Sequence, residues 1–259
     1  MSSQKNNPEI KALKKEIIEK DHLIEELSRE KTSLLKIISH DIRSPFNRMF
    51  ALLQLMELDF GEITEDQKKY IDQMYRSVFG GMEMVKNLRD SRAIDEGKLS
   101  IYTENIDVYS VLEEALKSMN TQAKLKGIII DVKYDKSNPE ISGDRTLLLK
   151  IFENILSNCI KYSEENAGVV IDINTNNHKT IIRFSDSGPG IPDDEIGLAF
   201  DKFRKLSSLP TLGEGTSGLG LYLSKHFTDL MNGNIELING KKAGLNVILD
   251  FPLVKNQEE

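Results

Sequence analysis

The sequence predicts an α plus α/β fold in which a helical N-terminal part precedes an α/β sandwich. Apolar residues recur at helical spacing up to about residue 97, and beyond it helix-like stretches alternate with short runs rich in Val and Ile. Strands joined by hairpins and interspersed with helices are typical of one sheet under a layer of helices. We therefore expect a coiled-coil helix at 1–30, a helical hairpin at 31–97 and an α/β sandwich domain at 98–255.

The composition argues against several classes of function. The chain has 259 residues, with 34 Lys and Arg, 41 Asp and Glu, no Trp and a formal charge of −7, so it is a poor candidate for binding a nucleic-acid backbone. The single cysteine, Cys159, excludes an internal disulfide and a multi-cysteine zinc site, which fits a reducing compartment. No run approaches the ~20 apolar residues of a membrane span. We expect a cytoplasmic chain, either whole or cut from a longer membrane protein.

The N-terminal helix carries a heptad pattern. Its apolar positions form two rows, the second interrupted by Lys20: Ile10, Ile17 and Ile24, then Leu13, Leu27 and Leu34. This pattern predicts a two-stranded parallel coiled coil, which needs a second chain. The alternative is a single solvated amphipathic helix.

The helical pattern continues beyond the coiled coil and then turns back as a second helix. Pro45 lies inside the first helix and is expected to bend it, because proline removes a backbone donor. A break at 59–62 is followed by Thr64 and Gln67, whose spacing predicts a capping box at the start of the second helix. Gly80-Gly81 in that helix indicates either close helix packing or a soft point. Two such hairpins from two chains would form a four-helix bundle, so the hairpin also predicts a homodimer.

His40 lies beside the apolar stripe of the first helix rather than in it. If Ile38 and Asp41 continue the two heptad rows, the imidazole of His40 points to solvent. Ser44 follows one helical turn later and shares its face. The sequence therefore predicts an exposed imidazole with a hydroxyl next to it on a rigid helix.

The C-terminal part predicts three helices and five strands. The predicted helices are 108–126, 144–161 and 219–231, and the predicted strands are 128–134, 169–173, 180–184, 235–238 and 245–251. A polar hairpin joins the second and third of these strands.

One polar row follows the predicted helix at 144–161. Asn154, Asn158 and Lys161 are spaced i, i+4 and i+7 and so lie on one helix face. Two neutral carboxamide oxygens followed by a lysine ammonium group suit the binding of Mg²⁺ and phosphate, because Mg²⁺ takes few protein ligands. On its own, the row is also compatible with ordinary polar decoration of a helix.

A second motif, Asp-Ser-Gly-Pro-Gly at 186–190, directly follows a predicted strand. The Asp186 carboxylate can accept a hydrogen bond from an exocyclic amine, while Gly188 and Gly190 let the backbone approach a flat base closely. A tight turn is the alternative interpretation.

A glycine-rich turn at 213–221 leads into the last helix. Free N–H groups and the positive end of the helix dipole would face an anion there. The turn matches neither the Walker nor the dinucleotide pattern, since no Lys-Ser/Thr follows and no strand immediately precedes it. The residues from 200 to 215 predict a lid with two aromatic anchors and basic residues, or else a long surface loop.

Taken in this order and at these spacings, the motifs resemble those of sensor histidine kinases. The resemblance covers about residues 30–252. Segment 39–46 resembles the family's phosphoacceptor box, 154–163 its N box and 186–190 its first glycine box. Segment 200–203 resembles its F box and 215–221 its second glycine box. The resemblance implies an ATP-binding domain of the fold shared with gyrase-type ATPases and related chaperones. It also implies that the γ-phosphoryl group passes from ATP to His40, and then to an aspartate of a response-regulator receiver domain.

The same resemblance implies residue roles. Asp186 would bind the adenine amine and Asn158 would ligate Mg²⁺. The other residues placed by it in the nucleotide site are Lys161, Tyr162, Gly188, Gly190, Phe203, Gly215, Gly218, Leu219 and Gly220. Those implied to take part in catalysis are His40 as phosphoacceptor, Asp41 as its acid/base partner, Ser44, and Asn154 and Lys205 near the phosphates.

The chain departs from the family pattern at three places. Ser44 stands where the family carries the Thr or Asn that positions water for dephosphorylating the regulator, so the strength of any phosphatase activity is open. Lys205 stands where an arginine is common, which replaces a forked cation by a monodentate one. In the second glycine box, Thr216-Ser217 precedes the inner glycines, and a glycine lies one position early at Gly215.

Two rival functions remain from the sequence. An ATP-hydrolysing member of the same superfamily would carry a glutamate base four residues before the Mg²⁺ asparagine, where this chain has Asn154. A dimeric scaffold would bind nucleotide without transferring phosphate, although His40, Asn158, Asp186 and Gly218 together favour the kinase.

Overall fold

The computed structural model describes residues 8–59, 61, 63–134, 139–176, 178–240 and 243–253. Within the first helix, the side chains of residues 8–10, 25, 28–41 and 59 lie outside this description. The predicted orientations of His40 and Asp41, and the heptad positions Ile10 and Leu34, fall on those side chains. No helix in the described ranges contains a stretch long and apolar enough to cross a membrane.

The N-terminal part is a helical hairpin. Helix α1 spans Pro8–Asp59 and helix α2 spans Glu65–Asp95. The two helices share a small core formed by Leu53, Ile71, Tyr75 and Val78. A hydrogen bond 3.0 Å long from Tyr75 Oη to Glu57 joins α2 to the end of α1. Burial and this hydrogen bond raise the pKa of Tyr75 to about 12.

The predicted capping box at the start of α2 is confirmed. Thr64 Oγ1 accepts a hydrogen bond from Gln67 N at 3.2 Å, and Gln67 Oε1 accepts one from Thr64 N at 2.9 Å. These two bonds satisfy backbone donors that the first turn of a helix leaves without partners.

Replacing Thr64 by alanine is expected to lower the free energy of unfolding by about 1 kcal/mol, because the N-cap acceptor is lost. Thermal denaturation of the two proteins measures the difference. Thr64→Ser keeps the hydroxyl and should stay within a few tenths of a kcal/mol of the parent. Equal losses in both variants would contradict a capping role.

The structure also resolves what Gly81 does. A β-carbon at this position would clash with the ring of Phe46 on α1, so the glycine permits close packing of the two helices. Helix α1 continues through Pro45 without interruption, so the expected bend does not divide it.

The C-terminal part is an α/β sandwich. Its strands are β1 (Glu104–Asp107), β2 (Ile129–Lys133), β3 (Glu140–Gly143), β4 (Gly168–Thr175), β5 (Lys179–Ser185), β6 (Asn234–Asn239) and β7 (Leu245–Pro252). Its helices are α3 (Val108–Leu125), α4 (Arg145–Tyr162) and α5 (Gly220–Leu230). The main sheet has the order β2-β4-β5-β7-β6, with β2 parallel to β4 and the other pairs antiparallel, while β1 and β3 form a separate two-stranded sheet.

One face of the main sheet packs against the helices. Alternate residues of β4 and β5 are buried, as the strand period requires, and Phe184 meets Phe152 of α4 with ring centroids 5.6 Å apart. Cys159 is buried in the same core, and burial raises the pKa of its thiol well above the ordinary value. The predicted sheet under a helical layer is confirmed.

Helix α2 lies along the sandwich domain and contacts its helices. Lys202, which precedes Phe203, pairs with Asp95 at 2.6 Å, and Lys150 of α4 pairs with Asp90 at 3.2 Å. Arg76 donates to the carbonyl oxygen of Leu125 at 3.3 Å. These contacts bring α2 to the edge of the site described next.

Candidate active site

A pocket lies between the end of α4, the first turn of α5, the loop after β5 and the segment 199–218. Eight of the predicted site residues line it: Asn158, Lys161, Tyr162, Asp186, Gly190, Lys205, Gly218 and Gly220. Motifs from four distant parts of the sequence therefore meet in one place.

Asp186 is fixed at the inner end of this pocket. Its Oδ1 accepts hydrogen bonds from the backbone N–H groups of Gly188 and Leu245, each 2.9 Å long. Oδ2 has no protein donor among the described residues and is left for a ligand. Burial raises the pKa of the Asp186 carboxyl, and the two backbone hydrogen bonds oppose that rise.

The first glycine motif is held by an asparagine that sequence patterns do not single out. Asn239 on β6 accepts from Ile191 N at 2.9 Å and donates to Ile191 O at 2.7 Å. Gly190 has a φ of +74°, and a β-carbon there would lie 2.6 Å from Asn239 Oδ1. The two hydrogen bonds between Asn239 and the backbone of Ile191 thus hold the loop after Asp186 against the sheet. A side chain at Gly190 would clash with Asn239 and disrupt these bonds.

The second glycine motif places the start of α5 beside Asn158. A β-carbon at Gly220, the first residue of α5, would lie 3.8 Å from Asn158 Nδ2. The N-cap residue Leu219 supplies no side-chain hydrogen bond to the first turn, and Gly220 and Leu221 of that turn line the pocket. Gly218 has a φ of +65°, and a β-carbon there would lie 2.6 Å from the carbonyl oxygen of Arg204. This end of the pocket is suited to an anion.

A carboxylate from α2 enters the pocket and pairs with the predicted phosphate-binding lysine. Glu83 Oε2 accepts from Lys161 Nζ at 2.7 Å and from Ser157 Oγ at 2.7 Å. Both Glu83 and Lys161 line the pocket. Burial, the largest effect, and the nearby Glu83 carboxylate raise the pKa of Tyr162. Glu83 thus brings a negative charge to the site that no sequence motif predicts.

Replacing Glu83 by glutamine is expected to tighten Mg-ATP binding. The change removes a negative charge beside the phosphates while keeping an acceptor for Ser157, and about a fivefold to tenfold gain is the size expected for one charge at a partly buried site. Isothermal titration of the parent and variant measures it. Glu65→Gln, an exposed carboxylate at the far end of the same helix, is the matched control. Unchanged or weaker binding in the Glu83 variant would contradict this electrostatic account.

Asn154 does not line the nucleotide pocket with Asn158. It is buried and lines a neighbouring cleft between α2 and α4, which Glu83 and Arg43 of the phosphoacceptor segment also line. Glu153 lines this second cleft too, where it pairs with Lys86 and accepts from Ser118 Oγ at 2.8 Å. The structure therefore does not bring Asn154 into the pocket with Asn158, and its role at the phosphates stays a prediction.

Four other predicted residues contribute backbone or packing instead of lining the pocket. Leu219 is buried in the core and Gly188 backs against the carbonyl of Tyr162. The side chain of Phe203 is 54% exposed, with Lys202 Nζ 5.5 Å from its ring centroid. Gly215 faces Met84 of α2. The exposed Phe203 side chain differs from the expected anchor, and the residue has a positive φ of 62°.

The phosphoacceptor segment lies on α1. Ser44 is exposed, and Arg43 lines the same cleft as Asn154. Residue 40 lies one turn earlier on the same helix, about 4.5 Å along the axis from Arg43. The backbone therefore brings the phosphoacceptor turn toward the N box.

Comparison with known families decides the class of protein. The His Kinase A phospho-acceptor domain matches residues 30–97, and the histidine kinase-, DNA gyrase B- and HSP90-like ATPase family matches residues 143–255. The chain is a sensor histidine kinase catalytic core. The first match lies on the helical hairpin, and the second covers the part of the sandwich domain from α4 onward, which carries most of the nucleotide pocket, while β1, α3 and β2 precede it.

Curated relatives are considerably longer than this kinase core. It is 31% identical over 227 residues to the hybrid signal transduction protein dokA of Dictyostelium discoideum, covering 85% of this chain and 13% of that protein. It is 27% identical over 225 residues to the circadian input-output histidine kinase CikA of Synechococcus elongatus, covering 86% of this chain and 30% of that protein. The kinase core thus spans less than a third of either relative.

Solved structures share the fold of the kinase core. Full-length ShkA in complex with AMPPNP is 23% identical with a TM-score of 0.59, covering 86% of this chain and 46% of that chain. The Acinetobacter baumannii histidine kinase AdeS is 20% identical with a TM-score of 0.51, covering 84% of this chain and 98% of that chain. At these identities the likeness establishes the architecture and nothing finer.

Proposed function

We propose that the chain autophosphorylates His40 from Mg-ATP and passes the phosphoryl group to an aspartate of a response-regulator receiver domain. The observation that carries this proposal is one pocket lined both by Asp186, whose Oδ2 has no protein donor among the described residues, and by the start of α5 beside Asn158. An acceptor for the adenine amine and donors for phosphates are thereby combined in one pocket.

The residues at the phosphate end fit Mg²⁺ carried by the nucleotide. Asn158 offers one neutral oxygen and is only partly buried, which suits an ion that keeps most of its waters. When bound, Mg²⁺ would supply neutralisation of the phosphate charge. The N–H groups of α5 and the side chains of Lys161 and Lys205 would orient the γ-phosphoryl group.

The chemical step is an in-line displacement. A nitrogen of the His40 imidazole forms a bond to the γ-phosphorus, the bond to the bridging oxygen of ADP breaks, and the imidazole loses its proton. An unperturbed imidazole, with a pKa of about 6.5, is largely neutral at pH 7 and so has a lone pair for attack. Asp41 would accept the proton by family resemblance. Such a transfer depends mainly on positioning and charge neutralisation.

Onward transfer would place the receiver aspartate against the same exposed helix face. Ser44 follows His40 by one turn and is exposed, so its hydroxyl is available to orient water for dephosphorylating a bound regulator. Phosphatase activity is accordingly part of the proposal.

A homodimer is the state in which these reactions would occur. Leu13, Ile17, Ile24 and Leu27 of the heptad rows are each more than half exposed in the single chain. Farther along α1, Met49, Leu52 and Leu55 are also half exposed or more. These two groups of exposed apolar side chains support burial in a coiled coil and in a four-helix bundle with a second copy.

The hydrolase alternative is less well supported. A general base for water would have to reach the γ-phosphate, yet Glu153 lines the other cleft with its two oxygens engaged by Lys86 and Ser118. The carboxylate that does line the pocket, Glu83, has Oε2 engaged by both Lys161 and Ser157. These engaged carboxylates favour transfer to the chain over transfer to water.

Incubation of the chain with radiolabelled Mg-ATP tests the proposal. We expect protein-bound phosphate that is stable in alkali and lost in acid, the behaviour of a phosphoramidate, and no label when EDTA removes the metal. Rapid release of inorganic phosphate without labelled protein would support the hydrolase instead. Nucleotide binding with neither product would support the scaffold.

A further inference from the structure

A buried ion pair lies behind the nucleotide pocket. Lys126, the residue after α3, has a side chain that is 2% exposed, and its Nζ lies 3.1 Å from Oε1 of Glu214, which is 8% exposed. Burial lowers the pKa of Lys126, and the Glu214 charge is the largest opposing influence. Buried ion pairs rarely add stability over an apolar pair of similar volume. The Lys126–Glu214 pair is therefore expected to have a role other than stabilising the fold.

The pair joins three segments that are far apart in the sequence. Lys126 Nζ also donates to the carbonyl oxygen of Lys161 at 2.6 Å, in the last turn of α4. The second oxygen of Glu214 accepts from the N–H of Leu212 at 3.0 Å and so closes the turn before the second glycine motif. The end of α3, the end of α4 and the glycine-rich segment are thus tied at one point.

Two of the segments that the ion pair connects, the end of α4 and the glycine-rich segment, line the nucleotide pocket. Lys161 and Tyr162 form one wall, and Thr216 to Gly218, which follow Glu214 closely, form another. Lys126 and Glu214 themselves lie outside the pocket, in a small cleft shared with Arg76 and Gly80 of α2. The distance between the two walls therefore depends on groups that do not touch the nucleotide.

We propose that Lys126 and Glu214 are positioning residues that hold the second glycine motif against the end of α4 and thereby set the affinity for the phosphates of ATP. This inference rests on the proposed ATP site. Without the pair, the glycine-rich segment would be held to the end of α4, among the described residues, only by the bonds that Thr211 makes to the carbonyl oxygens of Lys161 and Ser163. The donors of α5 would then be less firmly fixed opposite Asn158. Binding would fall although every residue that contacts the nucleotide remains.

The test compares nucleotide affinity with stability. Lys126→Met, Glu214→Gln and the double variant Lys126→Met/Glu214→Leu are titrated with Mg-ATP, and their melting temperatures are measured without nucleotide. We expect a dissociation constant raised about tenfold to hundredfold in all three, on the order of the loss that a displacement of about 1 Å causes in a positioned site. The double variant should melt within a few degrees of the parent, because neither charge is left buried alone.

A kinetic readout separates positioning from structure. The KM for ATP in autophosphorylation should rise, while the rate at saturating ATP stays close to that of the parent, since His40 and its neighbours are untouched. Lys124→Met, an exposed lysine two residues earlier, is the matched control and should leave both values unchanged. Parental ATP affinity in the double variant, or loss of melting temperature alone in the single variants, would overturn the inference. Absence of Mg-ATP binding by the parent chain would instead overturn the proposed ATP site.

Discussion

Replacing His40 by glutamine is expected to reduce phosphate incorporation from Mg-ATP to background. The amide side chain has a similar polarity but no nitrogen lone pair available for attack on phosphorus, so the covalent step is lost outright. Nucleotide affinity should stay close to that of the parent, because the pocket is lined by residues of α4, α5 and the loops of the other domain together with Glu83 of α2, and by no described residue of the segment 39–46. Radiolabel incorporation and isothermal titration on the same preparation measure both quantities.

His22 provides the matched control for this variant. It is an exposed histidine on the same helix, so His22→Gln makes the same chemical change outside the phosphoacceptor segment. Full labelling of the His22 variant is expected. Labelling of the His40 variant at the parental level would show that another residue accepts the phosphoryl group.

Replacing Asp186 by asparagine is expected to weaken ATP binding by about tenfold to hundredfold. Asparagine can still accept the N–H groups of Gly188 and Leu245 through Oδ1, so the loop geometry survives. The atom that replaces Oδ2 becomes an NH₂ donor facing the donor amine of adenine, and a hydrogen bond to a charged acceptor, worth about 1.5–3 kcal/mol, is lost. Titration with Mg-ATP gives the change in dissociation constant.

Inosine triphosphate distinguishes loss of this one bond from damage to the pocket. It carries a carbonyl oxygen where ATP carries the amine, so the parent should prefer ATP and the Asp186 variant should lose most of that preference. Asp194→Asn, an exposed carboxylate in the same loop, should retain it. Equal losses of affinity for both nucleotides in the Asp186 variant would contradict direct recognition of the amine.

The raised pKa of Asp186 adds a pH dependence with a definite sign. Because burial raises the pKa, the carboxylate takes up a proton at a higher pH than an ordinary aspartate does. The protonated group is a poorer acceptor, so ATP affinity should fall as the pH is lowered through that range. The Asp186→Asn variant should lack this component.

Local patterns in the sequence predicted most of the fold. Apolar periodicity located α1 to α5 and the five strands of the main sheet, and the spacing of Thr64 and Gln67 located the start of α2. The strands β1 and β3 were missed because each has only four residues, several of them polar, which is too short for an alternating pattern. Pairing with each other, not intrinsic preference, makes them strands.

The site was predictable where its residues belong to compact motifs. Asn158, Asp186 and Gly218 are each marked by their neighbours in the chain, and the structure places all three at one pocket. Glu83, by contrast, meets Lys161 across 78 residues, and Lys126 meets Glu214 across 88. Such pairs depend on how α2, α3 and α4 pack, and a single charged residue on a helix carries no sign of a distant partner.

Identifying the phosphorylated residue tests the central claim most directly. The parent chain is incubated with Mg-ATP, digested at alkaline pH and analysed by mass spectrometry, which assigns the phosphoryl group to one peptide and one side chain. The proposed function predicts phosphohistidine at His40, with the other histidines unmodified. Phosphate on a different residue, or turnover of ATP with His40 left unmodified, would contradict it.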